Sequence, residues 1–206
     1  MANSNTNLLG TLDVHIDSED ILIGLEAAGL PSTPKDVIDA IERIARTLQY
    51  SANITMYADF RRLFRSTSYS TIIDQLEALH IKTVNVNSLN GKNSSDMEIF
   101  GEVFNQLSNP NALSTQDVML VTMDGDYRKL IDVVHKHNKQ VILVGLASQM
   151  SQVLRDVADV VFNLEDYLNI PLGWSRNDLD TIPDQHVIYL LHLLHFLHSQ
   201  QWKWIY

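Results

Sequence analysis

Two aspartates separated by a single glycine follow a short apolar run in the middle of the chain. The run is Val118–Val121, the pair is Asp124 and Asp126, and a helical pattern begins at Tyr127. Carboxylates held this close together repel each other unless a cation neutralises them. The pair therefore indicates a divalent-metal site, provided that other segments bring further acids to the same place.

Two further aspartates occupy comparable positions. Asp17 follows the first apolar strand, and Asp96 stands at the start of a helix shortly after the third strand. In a parallel sheet the segments that follow the strands emerge at one edge, where ligands bind. Oxygen ligands of this kind suit Mg²⁺ or Mn²⁺, and a cation held by them activates water and offsets charge on a phosphodiester.

An aspartate at the start of a helix is often only an N-cap. We expect this alternative to apply to Asp96 and Asp126 more readily than to Asp17 and Asp124, because the latter two directly follow apolar runs. The expected arrival of all four at one sheet edge favours a shared site over four independent caps.

Strand-length apolar segments alternate with helical patterns along most of the chain. Strands are predicted at 12–16, 54–58, 82–86, 118–122, 140–144 and 160–162, and helices at 34–48, 69–79, 95–107, 127–137 and 149–157. This alternation predicts an α/β fold, with a mostly parallel central sheet and helices on both faces.

The composition narrows the class of protein. The 206 residues carry a formal net charge of −10 and include no cysteine, which argues against a basic nucleic-acid coat protein and excludes disulfides and thiolate metal sites. No apolar run approaches the ~18 residues of a membrane span, and the N-terminus lacks the pattern of a signal peptide. We expect a soluble, cytoplasmic protein without a membrane partner.

The C-terminal part of the chain differs from the rest. Residues 1–170 are predicted to form the main domain, and 171–206 a linker and a C-terminal helix at about 185–199, followed by Trp202 and Trp204. This extension is the start of a second small domain, a segment that docks on a partner protein or a second copy, or a helix packed on the main core. The sequence leaves these alternatives open.

Three segments together resemble a known family. Ile16–Ile21, Lys92–Asp96 and Val121–Tyr127 are similar in order and spacing to motifs of the NYN domain, in the LabA-like branch of the PIN-like nuclease superfamily. The resemblance covers roughly residues 10–170 and implies a metal-dependent ribonuclease with a Rossmann-like PIN fold. It assigns metal binding and catalysis, with Mg²⁺ or Mn²⁺, to four acids: Asp17, Asp96, Asp124 and Asp126.

The chain departs from the family pattern at several positions. Asp20 stands where the family usually has Asn, and as an oxygen donor it is a candidate further metal ligand. Thr122-Met123 replaces Ser-Gly, and we expect Met123 to narrow the approach to the acids; Asn93 replaces a glycine. Glu102 is a weaker candidate acid, because an offset of six residues on a helix points away from Asp96. Glu19 is interpreted as a turn residue.

Basic residues near the same edge are candidates for substrate binding. The guanidinium group of arginine suits phosphate because it donates two hydrogen bonds at once. The candidates are Arg61, Arg62, Arg65, Lys92 and Arg128, with Lys129 beside them. Phe60, Phe64 and Tyr127 could stack on unpaired bases, although we expect the two phenylalanines to lie in the core.

The leading hypothesis is hydrolysis of RNA by water activated at a cation held by Asp17, Asp96 and Asp124, with Asp126 as a fourth ligand or water-orienting base. A second hypothesis is an inactive RNA-binding or assembly module, favoured by the substituted glycines and the acidic charge. A metal-dependent phosphatase is a third, disfavoured because the Asp-x-Asp pair follows the fourth strand and not the first.

Overall fold

The computed structural model describes residues 10–30, 32–64, 69–86, 95–108 and 117–168. Within these ranges, six parallel strands form one sheet in the order β3-β2-β1-β4-β5-β6. The strands are β1 Gly10–Asp17, β2 Tyr50–Ala58, β3 Lys82–Asn85, β4 Asp117–Val121, β5 Gln140–Gly145 and β6 Val160–Asn163.

Eight helices connect or follow these strands in the described ranges. They are α1 Ser18–Ala27, α2 Pro34–Thr47, α3 Phe60–Leu63, α4 Tyr69–Ala78, α5 Ser95–Ser108, α6 Arg128–Lys136, α7 Gln152–Arg155 and α8 Glu165–Leu168. A 3-10 turn, Gly125–Tyr127, lies between β4 and α6. The predicted α/β architecture with a parallel sheet is confirmed.

The strand order sets the place of the site. The chain adds β2 and β3 on one side of β1 and then returns to add β4 on the other side. β1 and β4 therefore lie side by side, with Ile16 opposite Val121 in the register. The crevice at the carboxyl ends of these two strands is the topological switch point, where open α/β sheets bind their ligands.

Helix α2 shows how local sequence fixes an element. Thr33 accepts a hydrogen bond from the backbone of Asp36, whose carboxylate accepts one from the Thr33 backbone, and Pro34 supplies the first turn. This reciprocal cap satisfies backbone donors that would otherwise lack partners. The helix buries an apolar face formed by Val37, Ile38, Ala40, Ile41, Ile44 and Ala45.

Helix α1 was not predicted, and the interpretation of Glu19 as a turn residue is wrong. The helix begins at Ser18, directly after β1, and buries Ile21, Leu22 and Leu25 at helical spacing. Glu19 lies in its first turn, where its carboxylate accepts a 2.8 Å hydrogen bond from the Asp59 amide. The strand passes into the helix without a loop, so the apolar run and the helical pattern merge in the sequence.

The predicted helix at 149–157 is shorter in the structure. Its first residues form a turn in which the amides of Gln149 and Met150 both donate to the Leu146 carbonyl, and α7 then covers only four residues.

By contacts the chain separates into two units, Met1–Asn169 and Ile170–Tyr206. The predicted connector and the C-terminal helix lie outside the described residues, so their roles stay predictions. Among the residues described, no helix has both the length and the apolar character that crossing a bilayer requires.

Candidate functional site

Asp17 is the last residue of β1 and the N-cap of α1. One carboxylate oxygen accepts a 3.5 Å hydrogen bond from the Asp20 amide, and the other accepts a 2.9 Å bond from the Tyr127 hydroxyl. The side chain is only 6% exposed. Capping was expected less readily of Asp17 than of Asp96 and Asp126, yet Asp17 is a cap, because α1 starts at the next residue and needs partners for its first amides.

Burial raises the pKa of Asp17 from 3.8 to about 7, and the nearby charge of Asp20 adds to this effect. The hydrogen bond from Tyr127 opposes the rise, because it stabilises the ionised carboxylate. Burial therefore disfavours the negative charge of the Asp17 carboxylate, and a cation beside it would favour the ionised form.

Asp20 lies in the first turn of α1 and reaches across to the segment that follows β4. Its Oδ2 accepts hydrogen bonds from the Thr122 hydroxyl at 2.8 Å and from the Met123 amide at 2.5 Å. Burial raises the pKa of Asp20 and the charge of Asp124 contributes in the same direction, while these two donors lower it. Asp17, Asp20 and Asp124 therefore share one electrostatic environment.

Asp124 is the N-cap of the 3-10 turn, although capping was expected more readily of Asp126. Its carboxylate accepts a 3.0 Å bond from the Asp126 amide, and its own amide donates to the Thr122 hydroxyl at 3.2 Å. Both carboxylates are solvent-exposed. The turn therefore presents two acids to solvent beside the buried Asp17.

Gly125 allows a second loop to approach this turn closely. A Cβ at position 125 would lie 2.8 Å from the hydroxyl oxygen of Ser151, and the Ser151 amide donates to the Met123 carbonyl at 3.0 Å. Glycine between the two aspartates therefore suits the close approach of the loop after β5.

Asp96 lies in the first turn of α5, half-buried. It is not the N-cap, because α5 already begins at Ser95. The pKa of Tyr127 is raised by burial and by the Asp17 carboxylate, and Asp96 and Asp20 add to the effect. Three of the predicted acids therefore act on one tyrosine hydroxyl.

The same tyrosine corrects one prediction about substrate binding. Tyr127 is 3% exposed and its hydroxyl is bonded to Asp17, so its ring is unavailable for stacking on a base. Phe60 is fully buried and stacks on the half-buried Phe64 with 6.2 Å between ring centroids, which agrees with the core position expected for Phe60.

Met123 does not narrow the approach to the acids. Its side chain is buried, and it packs so closely against α1 that a Cβ at Gly24 would collide with the Met123 methyl group. The Met123 side chain does not obstruct access to the acids, because it points into the core beneath α1.

Four of the predicted cationic residues are described and exposed. Arg61 and Arg62 lie on α3, directly after β2, and Arg128 and Lys129 open α6, after β4. They flank the switch point on either side. Arg65 and Lys92 lie outside the described residues. Glu102 forms a 3.0 Å ion pair with Lys82, consistent with its standing as a weaker candidate.

The donor set is oxygen-only, which suits Mg²⁺ or Mn²⁺. In the described ranges, however, no three His, Asp or Glu side chains converge into a group able to hold a metal ion by themselves. Mg²⁺ commonly binds one or two carboxylates and completes its shell with water and substrate phosphates. The acids at this edge fit a cation of that kind and not one enclosed by protein ligands.

Sequence reasoning missed the hydrogen-bonding role of Thr122. A threonine two residues before an aspartate at the end of a strand can accept the aspartate amide in a local turn, and that spacing was a usable signal. The bond between Tyr127 and Asp17 joins residues 110 positions apart, and nothing local in the sequence indicates it.

Comparisons with known proteins agree with this architecture. A solved structure of a protein of unknown function from Vibrio parahaemolyticus superimposes with a TM-score of 0.58 at 16% sequence identity, covering 79% of this chain and 96% of that chain. At this identity the likeness shows the fold alone. No curated protein matches the chain. The NYN domain pattern matches residues 12–165, and the chain therefore belongs to the NYN domain family of PIN-like nucleases.

Proposed function

We propose that this protein is a metal-dependent ribonuclease of the LabA-like type, which hydrolyses RNA phosphodiester bonds at the carboxyl ends of β1 and β4. The observation that carries the proposal is the buried Asp17 at the switch point, coupled electrostatically to Asp20 and adjacent to a turn that exposes Asp124 and Asp126. Burying an ionisable carboxylate costs free energy, and a bound cation would offset that cost.

Each acid has a distinct part in this proposal. Asp17, Asp96 and Asp124 would share a divalent cation, Mg²⁺ or Mn²⁺, with one or two of them binding it directly and water and a substrate phosphate completing its shell. When bound, such a cation lowers the pKa of a coordinated water and offsets the charge that develops on the phosphodiester. Asp126, which is exposed on the same turn, orients the attacking water and accepts its proton.

The exposed cationic residues on α3 and α6, here called the cationic flanks, position the substrate. Arg61 and Arg62 on one side and Arg128 on the other neutralise backbone phosphates of an RNA strand that crosses the site, with Arg65 and Lys92 as further candidates. The protein carries a net charge of −10, so attraction of RNA depends on these local groups and not on the overall field.

A cleavage assay tests the proposal. Purified protein is incubated with labelled RNAs in Mg²⁺, Mn²⁺ or chelator, alongside Asp17→Asn, Asp124→Asn and the control Asp132→Asn, an exposed acid on α6. We expect cation-dependent cleavage by the parent and the control, and a loss of at least about a hundredfold in the two site variants. Undiminished cleavage by Asp124→Asn would exclude the assigned site.

A non-catalytic RNA-binding module is the second candidate. It is favoured by the absence, in the described ranges, of three acids that converge into a preformed metal group. RNA binding without cleavage in either cation would establish it. Release of inorganic phosphate from small esters, without chain cleavage, would instead support the phosphatase alternative. Docking of a partner or a second copy through residues 171–206 also stays a prediction.

A further inference from the structure

Asp20 differs from the other acids of the site in how its carboxylate is used. Both hydrogen bonds to its Oδ2 come from the segment that follows β4, one from the Thr122 hydroxyl and one from the Met123 amide. Asp20 therefore ties the first turn of α1 to the end of a neighbouring strand, across a sequence separation of more than a hundred residues.

Thr122 passes this connection on to Asp124. Its hydroxyl donates its only hydrogen to Asp20 and accepts the amide hydrogen of Asp124 at 3.2 Å. Because both functions of the hydroxyl are engaged, its rotation is fixed. The backbone at Asp124 is thereby set by a side chain that Asp20 in turn holds.

The hydrogen bonds also limit what Oδ2 of Asp20 can offer a cation, whereas Oδ1 accepts neither of them. An oxygen that accepts two donors has its two lone-pair directions occupied, and one of the donors is a backbone amide that cannot turn away. Asp124 contrasts with this, because it is exposed and accepts one bond, from the Asp126 amide.

We propose that Asp20 is a positioning residue: through its Oδ2 and Thr122 it holds the turn after β4 in the place where Asp124 can bind the cation. This inference rests on the proposed function, since it assigns a role within that site. It predicts that an acceptor oxygen is required at position 20 and that a negative charge is not.

Amide hydrogen exchange of the metal-free protein tests the connection itself. We expect Asp20→Ala to accelerate exchange of the Met123 amide about tenfold, and Thr122→Val to do the same at Asp124, the loss of about one hydrogen bond. Asp20→Asn and Thr122→Ser, which keep the acceptor and the hydroxyl, should stay within about threefold of the parent. The Thr122 amide, bonded to the Val144 carbonyl, serves as an internal control. Unchanged exchange at Met123 in Asp20→Ala would overturn the inference.

Titration with Mn²⁺, followed by electron paramagnetic resonance, separates positioning from ligation. If Asp20 positions, Thr122→Val lowers Mn²⁺ affinity about tenfold, as loss of an outer hydrogen-bond partner does, while Thr122→Ser and Asp20→Asn stay close to the parent. If Asp20 is a ligand, the order reverses: Asp20→Asn loses affinity and Thr122→Val does not. The reversed order would overturn the inference.

The two proposals fail in distinguishable ways. A parent protein that binds no Mn²⁺ contradicts the proposed function, and with it any role of Asp20 in cation binding. The exchange rates at Met123 and Asp124 would still decide whether Asp20 and Thr122 hold the turn.

Discussion

The hydroxyl of Tyr127 donates a 2.9 Å hydrogen bond to Oδ2 of Asp17, joining the start of α6 to the end of β1. Both side chains are buried. A similar pair lies at the other end of the strands, where Tyr50 donates to Asp117 at 3.0 Å. The first pair includes Asp17 of the candidate site, and the second pair includes no residue of that site. Removing the second hydrogen bond is therefore a matched control for removing the first.

Replacement of Tyr127 by Phe should impair catalysis near neutral pH. The tyrosine bond lowers the pKa of Asp17, so its loss raises that pKa further and leaves less of the carboxylate ionised. We expect the acidic limb of the pH–rate profile for RNA cleavage to move to higher pH. A rise of about one pKa unit, worth about 1.4 kcal/mol, should lower the rate at pH 7 about fivefold.

Tyr50→Phe is the control for this change, because it removes a comparable buried bond without touching Asp17. It should lower thermal stability by a similar amount and leave the pH–rate profile in place. Equal displacement of the profile by both variants would show that the Tyr127 effect is general destabilisation.

Asp17→Asn should stabilise the metal-free protein at alkaline pH. The folded pKa is about 7 against an ordinary value of 3.8, so between these values the folded state binds the extra proton. The free energy of unfolding therefore falls as pH rises through this interval and stays low above it. The asparagine side chain does not titrate, so the variant does not lose stability in this way. Its free energy of unfolding at pH 8 should exceed that of the parent by up to about 4 kcal/mol, at about 1.4 kcal/mol for each pKa unit.

Thermal unfolding in chelator at pH 4 and pH 8 measures this difference, which should vanish at the lower pH. Added Mn²⁺ should raise the melting temperature of the parent at pH 8 and leave that of the variant unchanged. A parent as stable as the variant at pH 8 without metal would contradict the raised pKa of Asp17.

Gly125→Ala should destabilise the turn through one identifiable contact. The added methyl group would lie 2.8 Å from the Ser151 hydroxyl oxygen but 3.5 Å from the Ser151 Cβ, which is an ordinary distance. We expect a loss of about 1–2 kcal/mol in unfolding free energy, most of it recovered in the double variant Gly125→Ala/Ser151→Ala. Additive effects in this double-mutant cycle would locate the strain elsewhere.

The cationic flanks should determine the salt dependence of RNA binding. Each phosphate contact contributes about 0.7 to the slope of log affinity against log salt for a single strand. The double variant Arg62→Gln/Arg128→Gln should therefore lower the slope by about 1.4 when measured with uncleaved RNA in chelator. Arg46→Gln on α2, where Arg46 pairs with Glu42 at 2.9 Å, should not change it; an equal change there would indicate a non-specific charge effect.

The sheet was predictable because its strands are apolar and separated by clear helical patterns. α2 is one example, with its Thr33 cap, Pro34 and regular apolar face. α1 was missed because no polar turn separates it from β1. The capping of Ser18–Ala27 by Asp17, with Glu19 and Asp20 in the first turn and apolar residues after them, was a signal that the strand pattern concealed.

The sheet edge that carries the candidate site was predictable, and the contacts of the residues there were not. Because β1 and β4 are neighbouring parallel strands, Asp17 and the segment that carries Asp124 emerge at the same edge of the sheet. The roles of Tyr127, Thr122 and Asp20 depend on hydrogen bonds between segments more than a hundred residues apart. The buried position of the Met123 side chain was not predicted for the same reason, since this side chain packs against Gly24 on α1.

A crystal structure with Mn²⁺ and an uncleaved RNA would show whether Asp17, Asp96 and Asp124 share a catalytic cation. We expect an anomalous peak bound by carboxylate oxygens of one or two of these acids at about 2.0–2.2 Å, the distance range of a small hard cation, with a phosphate in the same shell. A well-ordered RNA complex that cleaves on warming, yet has its Mn²⁺ peak away from these three carboxylates, would contradict it.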